Sequence, residues 1–115
     1  MTNKEKIDLM IGWLEEKNLT DIQVVDISQV SVDMESFIIA TASNDRLSKA
    51  ASEFLEEKAE ENGIMLINKE GKSEGRWILL NFGGIIVHIF LQAERELYNL
   101  EKLWTVGDGK KEMDE

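Results

Sequence analysis

Two strongly β-forming segments joined by a pair of glycines constrain the fold of this chain more than any other feature. Residues 76–82 and 85–91 are rich in branched and aromatic side chains, and Gly83 and Gly84 lie between them. Glycines can adopt the positive φ angles that a two-residue hairpin turn requires. The sequence therefore predicts a β-hairpin at or close to the centre of a sheet.

Three other segments repeat apolar residues at spacings of three and four, which predicts amphipathic helices. The first is expected over residues 3–18, with Asn3 as its N-cap. The second follows the polar side chains of residues 43–45 and ends at Gly63, with a glutamate-rich face opposite its apolar stripe. The third begins at Gln92, and its predicted apolar stripe consists of Ala93, Leu97, Leu100 and Trp104.

Three further short segments are strand candidates. Residues 22–27 are rich in β-branched side chains, and residues 37–42 are apolar enough to be buried on both faces. Residues 64–67 form a third, short apolar segment. Residues 30–35 and 68–75 are predicted to be a loop and a polar turn region. The element order describes an α/β (α+β) domain in which a mixed sheet of about five strands is covered by helices.

The length and composition favour one domain. With 115 residues and 43% hydrophobic content, the chain can build one continuous core. We place the domain at residues 1–105. Residues 106–115 contain two glycines and six charged side chains, and we expect an acidic, disordered tail there.

The charge and the absence of cysteine narrow the classes of partner and chemistry. The 23 acidic and 13 basic side chains give a net charge of −10. This charge disfavours DNA as a partner and favours a basic protein surface. The alternative is that the charge serves solubility alone. Without cysteine there can be no disulfide, thiolate zinc site or cysteine nucleophile. No apolar run approaches the ~18 residues of a membrane span, so we expect a cytoplasmic protein with no membrane partner.

Groups suited to catalysis are sparse. His88 is the only histidine, and alternation along its strand places it with Ile86 and Phe90; we expect it to be partly buried and bonded to a backbone carbonyl. No phosphate-binding glycine motif surrounds the Gly83 and Gly84 pair, and Asp26 is the only acid on the strand candidate 22–27. We therefore predict no catalytic residue, no cofactor and no metal.

A long segment of the sequence resembles a known family. Residues 76–104 read RWILLNFGGIIVHIFLQAERELYNLEKLW, which resembles the signature of the ribosomal silencing factor family, also called the Iojap-like family. Residues 37–46 read FIIATASNDR, similar to a second signature in which a strand ends in Ala-Thr-Gly and turns into a helix through Ser-x-Arg. The similarity covers roughly residues 3–105.

The chain departs from the family pattern at a few positions. The family usually has acidic residues where this chain has Arg76, Asn81 and Gly84, a glycine at Ala42 and a serine at Asn44. These changes leave the aromatic and histidine positions intact, but they weigh against any role that needs acids on the hairpin.

The resemblance implies a nucleotidyltransferase-like fold without its catalytic carboxylates. It further implies binding to the large ribosomal subunit through ribosomal protein fourteen, steric obstruction of small-subunit joining, repression of translation and a homodimer off the ribosome. The alternative is a divergent metal-dependent nucleotidyltransferase-like enzyme.

On a strand, Trp77 and Leu79 share one face while Ile78 and Leu80 share the other. We expect the protein-binding residues to be Trp77, Leu79, Tyr98, Glu101 and Lys102.

Overall fold

A computed structural model describes residues 1–100 of the chain. Within this range three helices and five strands follow one another in the predicted order. They are α1 (Asn3–Glu16), β1 (Thr20–Asp26), β2 (Ser36–Ala42), α2 (Asp45–Glu61), β3 (Asn68–Glu70), β4 (Trp77–Asn81), β5 (Ile85–Leu91) and α3 (Gln92–Tyr98).

The strands form one mixed sheet in the order β1-β2-β5-β4-β3. β2 and β5 run parallel, and the other neighbouring pairs are antiparallel. The predicted hairpin is confirmed: β4 and β5 pair across Gly83 and Gly84, whose φ angles are 78° and 86°. β5 is the central strand, so the hairpin lies where the sequence placed it, and the predicted α+β class with a mixed sheet of five strands is confirmed.

The first two helices begin at side chains that cap their free backbone N–H groups. At α1 the cap is Thr2 and not Asn3, because Thr2 and Glu5 bond reciprocally in a capping box. α1 ends at Glu16, two residues earlier than predicted. α2 is capped by Asn44, whose side chain accepts from the Leu47 N–H at 2.8 Å. No helix within residues 1–100 is long and apolar enough to cross a membrane.

α1 and α2 pack on the same face of the sheet, which we call the helix-covered face. Its side chains are mostly aliphatic, and most of them are completely buried. Those contributed by the strands include Ile38 and Ala40 of β2, Ile78 and Leu80 of β4, and Val87 and Ile89 of β5. The seven residues of β2 are all buried, which confirms that this strand is covered on both faces.

The strand prediction for residues 64–67 was wrong, and the strand lies in the next three residues, which were predicted to be a turn. Ile64 is buried at the C-terminal end of α2, while Met65 and Ile67 are largely exposed. Pairing with β4 begins at Asn68, opposite Asn81, and continues to Glu70. β3 is an exposed polar edge strand, so its side chains carry no apolar alternation from which it could be recognised.

The third helix is shorter than predicted within the described residues. α3 ends at Tyr98 because Asn99 adopts a left-handed conformation with φ 46°. The predicted apolar stripe was wrong at Ala93 and Leu97, since Ala93 is exposed and Leu97 is 75% exposed. The predicted continuation to Trp104 and the predicted disordered tail fall in residues 101–115, outside the described part of the chain.

Candidate protein interface

The face of the sheet opposite α1 and α2 carries aromatic side chains and a histidine. Register and alternation place Trp77 and Leu79 of β4 there, directly across from Phe90 and His88 of β5. We call this surface the aromatic face; it consists of Phe37, Trp77, Leu79, His88, Phe90 and Tyr98. Buried aliphatic side chains of the same cluster, such as Ile39 and Ile86, lie beside it.

Trp77 is half-buried among other rings and exposes part of its own. Its ring centre lies 4.9 Å from that of Phe90 and 4.6 Å from that of Tyr98, both in tilted arrangements. Tyr98 is 46% exposed, and Leu79 is half-buried. The alternation predicted for the strand is confirmed, because Trp77 and Leu79 are half-buried whereas Ile78 and Leu80 are completely buried.

His88 lies beneath Trp77 and is only 3% exposed. Its Nδ1 accepts a hydrogen bond from the Trp77 indole Nε1–H at 3.0 Å, and its ring meets the Phe37 ring edge-on at 4.5 Å. Burial lowers the pKa of His88 to about 4, so the ring is neutral at neutral pH. The predicted face shared with Ile86 and Phe90 is confirmed, but the predicted backbone carbonyl partner was wrong: this nitrogen is bonded to a side chain.

α3 is attached to the sheet through a buried arginine. Arg95 is 5% exposed, and its guanidinium donates to Thr41 Oγ1 at 2.8 Å and lies 3.6 Å from the Asp21 carboxylate. Sequence reasoning missed this residue because an arginine on a short helix is ordinarily solvated. Arg95 helps fix α3 against β1 and β2, and thereby helps hold Tyr98 beside Trp77.

A cleft of about 370 Å³ adjoins the two exposed rings. Trp77 and Tyr98 line part of it, and Arg76 and Glu94 line another part. Arg76 Nη1 lies 3.1 Å from Glu94 Oε2, so this edge of the aromatic face carries an ion pair. Large rings beside a rim of charged groups are the composition expected at the centre and edge of a protein-binding surface.

The described residues contain few groups arranged for metal or acid chemistry. Within residues 1–100 no three histidine, aspartate or glutamate side chains are grouped to hold a metal ion. Asp26, the acid singled out on β1, is exposed, and its carboxylate accepts from the Ser28 backbone and hydroxyl. Those hydrogen bonds lower the pKa of Asp26, as expected for an ionised turn-forming aspartate.

Comparison with known proteins identifies the family. The family described as "ribosomal silencing factor during starvation" matches residues 1–115. The chain belongs to this family. A relative named ribosomal silencing factor RsfS, from Bacillus subtilis, is 34% identical over 104 residues, which cover 90% of this chain and 88% of the relative.

Two further proteins resemble this chain, one in structure and one in sequence. A crystal structure of a Chromobacterium violaceum protein superimposes with a TM-score of 0.88 at 32% identity, covering 97% of this chain and 91% of that one. A mouse protein named "mitochondrial assembly of ribosomal large subunit protein 1" is 28% identical over 90% of this chain, which spans 46% of the mouse protein. The predicted membership in the silencing factor family is thus confirmed.

Three of the five predicted binding residues of this chain lie together. Trp77 and Tyr98 are in ring contact, and Leu79 follows Trp77 on the same face of β4. The other two, Glu101 and Lys102, lie outside the described residues. The structure adds two buried residues: His88, which bonds to Trp77, and Arg95, which attaches α3 to the sheet.

Proposed function

We propose that this protein binds the large ribosomal subunit through ribosomal protein fourteen, and sterically prevents the small subunit from joining. Translation would be repressed without any covalent change to the ribosome. The protein would act in the cytoplasm and would need no cofactor. The proposal also includes that the protein forms a homodimer when it is not bound to the ribosome. The contact surface is the aromatic face, with Trp77, Leu79 and Tyr98 near its centre. The proposed contact residues also include Glu101 and Lys102, which lie outside the described residues.

The aromatic face is the single observation that carries this proposal. Trp77 and Tyr98 expose ring surface side by side, and Leu79 extends the apolar area along β4. Tryptophan and tyrosine at the centre of an interface bury much area at little cost in conformational entropy, and they supply a large share of binding free energy. A partner that covers this patch would remove these rings from water.

Charge supports a basic partner. The net charge of −10 produces a long-range field that attracts positively charged surfaces. The acidic side chains of α2, including Glu53, Glu57 and Glu60, are exposed. They lie on the helix-covered side of the molecule, so they contribute to its overall negative charge and not to the contact itself. The names of relatives, which refer to ribosomal silencing and to large-subunit assembly, agree with a ribosomal partner.

Subunit joining is the activity to measure. Purified large subunits are incubated with the protein, small subunits are added, and joining is followed by light scattering. We expect the yield of joined ribosomes to fall as the protein concentration rises, and the protein to co-sediment with large subunits but not with small ones. Unchanged joining at saturating protein would contradict the proposal.

A second measurement addresses the alternative of a divergent nucleotidyltransferase. A ligand that binds only the native state raises the melting temperature, so an enzyme of this kind would be stabilised by Mg²⁺ together with nucleoside triphosphates. We expect no such shift at ligand concentrations that stabilise a known nucleotidyltransferase run in parallel.

A further inference from the structure

One polar bond lies beneath the exposed aromatic surface. The Trp77 indole N–H donates to His88 Nδ1 at 3.0 Å, between neighbouring strands of the hairpin. Trp77 pairs with Phe90 in the sheet register, and His88 pairs with Leu79, so the bond runs diagonally across β4 and β5. It joins a nearly completely buried ring to the largest side chain of the aromatic face.

The protonation state of His88 suits it to accept this bond. A neutral imidazole has one nitrogen that accepts and one N–H that donates, whereas a protonated ring can only donate. Because Nδ1 accepts from Trp77, the proton of the neutral ring is on Nε2. Nε2 is buried and has no hydrogen-bond partner within residues 1–100. The bond to Trp77 is therefore the polar interaction that the described residues give this ring.

The bond also decides which part of Trp77 is left for a partner. An indole has one hydrogen-bond donor, and in Trp77 that donor is directed inward to His88. Contacts with Phe90 and Tyr98 support the ring from two other directions. What remains on the surface is hydrocarbon edge and π face, which fits an aliphatic or cationic side chain and not a hydrogen-bond acceptor.

We propose that His88 is a positioning residue of the binding surface: its Nδ1 holds the Trp77 indole in one orientation, so that the partner meets an apolar π surface with no free N–H. This inference rests on the proposed function, because it assigns His88 a role in binding the ribosomal partner. A side chain held in its binding orientation before contact loses less entropy on binding.

The first test does not involve the ribosome. The indole N–H signals of ¹⁵N-labelled protein are assigned with Trp77→Phe, and His88 is replaced by Leu or by Asn. Leucine removes the acceptor, whereas the asparagine side-chain oxygen can take the place of Nδ1. We expect the Trp77 signal to shift, and its exchange with solvent to accelerate about tenfold or more, in His88→Leu only. An unchanged Trp77 signal in His88→Leu would overturn the proposal.

A matched control separates positioning from general loosening of the core. Ile86 lies two residues before His88, on the same strand and the same face, and is also buried. Ile86→Val should lower the melting temperature while leaving the Trp77 indole signal in place. A similar displacement in Ile86→Val would mean that any weakening of this cluster moves the ring, which would also overturn the proposal.

The second test measures affinity for large subunits. We expect about a tenfold loss in His88→Leu, near-parent affinity in His88→Asn, and no further loss when His88→Leu is added to Trp77→Phe, because the two residues act through one bond. Additive losses would overturn the role of His88. If the parent protein itself does not bind, the proposed function fails and this role fails with it, whereas the indole signals still decide whether the bond exists.

Discussion

The two faces of the sheet are built from the same strands but have different properties. On β4, Ile78 and Leu80 point to the helix-covered face and are 0% exposed, whereas their neighbours Trp77 and Leu79 point the other way and remain half-buried. The helix-covered face is closed by α1 and α2. The aromatic face is covered only in part by the described residues. One strand thus serves the stability of the fold with one set of side chains and leaves the other set partly exposed.

The chemistry of the two faces differs as well. The helix-covered face gains stability mainly from burying aliphatic groups, an effect that has no directional requirement. The aromatic face adds directional interactions: the Trp77 to His88 hydrogen bond, the edge contact of Phe37, and the bond from Arg95 to Thr41. Directional contacts hold these rings in place where residues 1–100 provide little packing from above. The difference can be tested by changing one face at a time.

The largest expected effect is on stability and comes from the helix-covered face. Leu80→Ala should lower the free energy of unfolding by about 2 to 5 kcal/mol, because it leaves a cavity beneath the helices. Leu79→Ala, the adjacent residue on the other face, should cost about 1 kcal/mol, since its side chain is only half-buried. Urea unfolding of both variants measures the difference. Equal losses would show that the two faces contribute alike.

The next effect is a pH dependence that originates on the aromatic face. Burial lowers the pKa of His88 from 6.5 to about 4, so between these values the unfolded chain binds a proton that the native protein does not. Stability is therefore fully present above pH 6.5 and falls as the pH drops towards 4, by a total on the order of 3 kcal/mol. Urea unfolding across this range should give a flatter profile for His88→Asn. Parallel profiles for the parent protein and His88→Asn would show that the pH dependence does not come from His88.

Removing the central ring should affect binding more than folding. Trp77→Ala is expected to cost about 2 kcal/mol or more in large-subunit affinity, roughly a 30-fold loss, since the ring is partly exposed and central. Its loss of stability should be smaller than that of Leu80→Ala. Melting temperature and affinity are measured on the same preparation. A variant that melts and binds like the parent would remove Trp77 from the interface and transfer the main contact to Tyr98.

The smallest expected effect is the salt dependence of the association rate, which separates long-range charge attraction from short-range contact. With a net charge of −10, association with a basic partner should slow several-fold from low to moderate salt, because the Debye length is about 8 Å at physiological ionic strength. The dissociation rate should change little with salt. Trp77→Ala should keep the same salt dependence and dissociate faster. An association rate that is flat in salt would mean that the acidic charge serves solubility alone.

Errors in the sequence-based prediction share a physical origin. The strand misplaced to residues 64–67 is an edge strand whose side chains face water, so no burial pattern marks it. The apolar stripe expected on α3 was wrong at Ala93 and Leu97 because that helix is attached through Arg95, whose partners Thr41 and Asp21 are distant in sequence. Apolar periodicity cannot reveal an element that is held by pairing or by a buried charge.

The sequence by itself determined the features that depend on local pattern. Gly83 and Gly84 specify the hairpin turn, the 3.6-residue period of residues 45–61 specifies α2, and alternation along β4 assigns Trp77 and Leu79 to one face. Only the tertiary structure decided that β2 pairs in parallel with β5, that the indole of Trp77 bonds to His88, and that Arg95 is buried. Periodicity and turn chemistry act between residues close in the chain, whereas strand order and side-chain partners depend on which distant segments the folded core brings together.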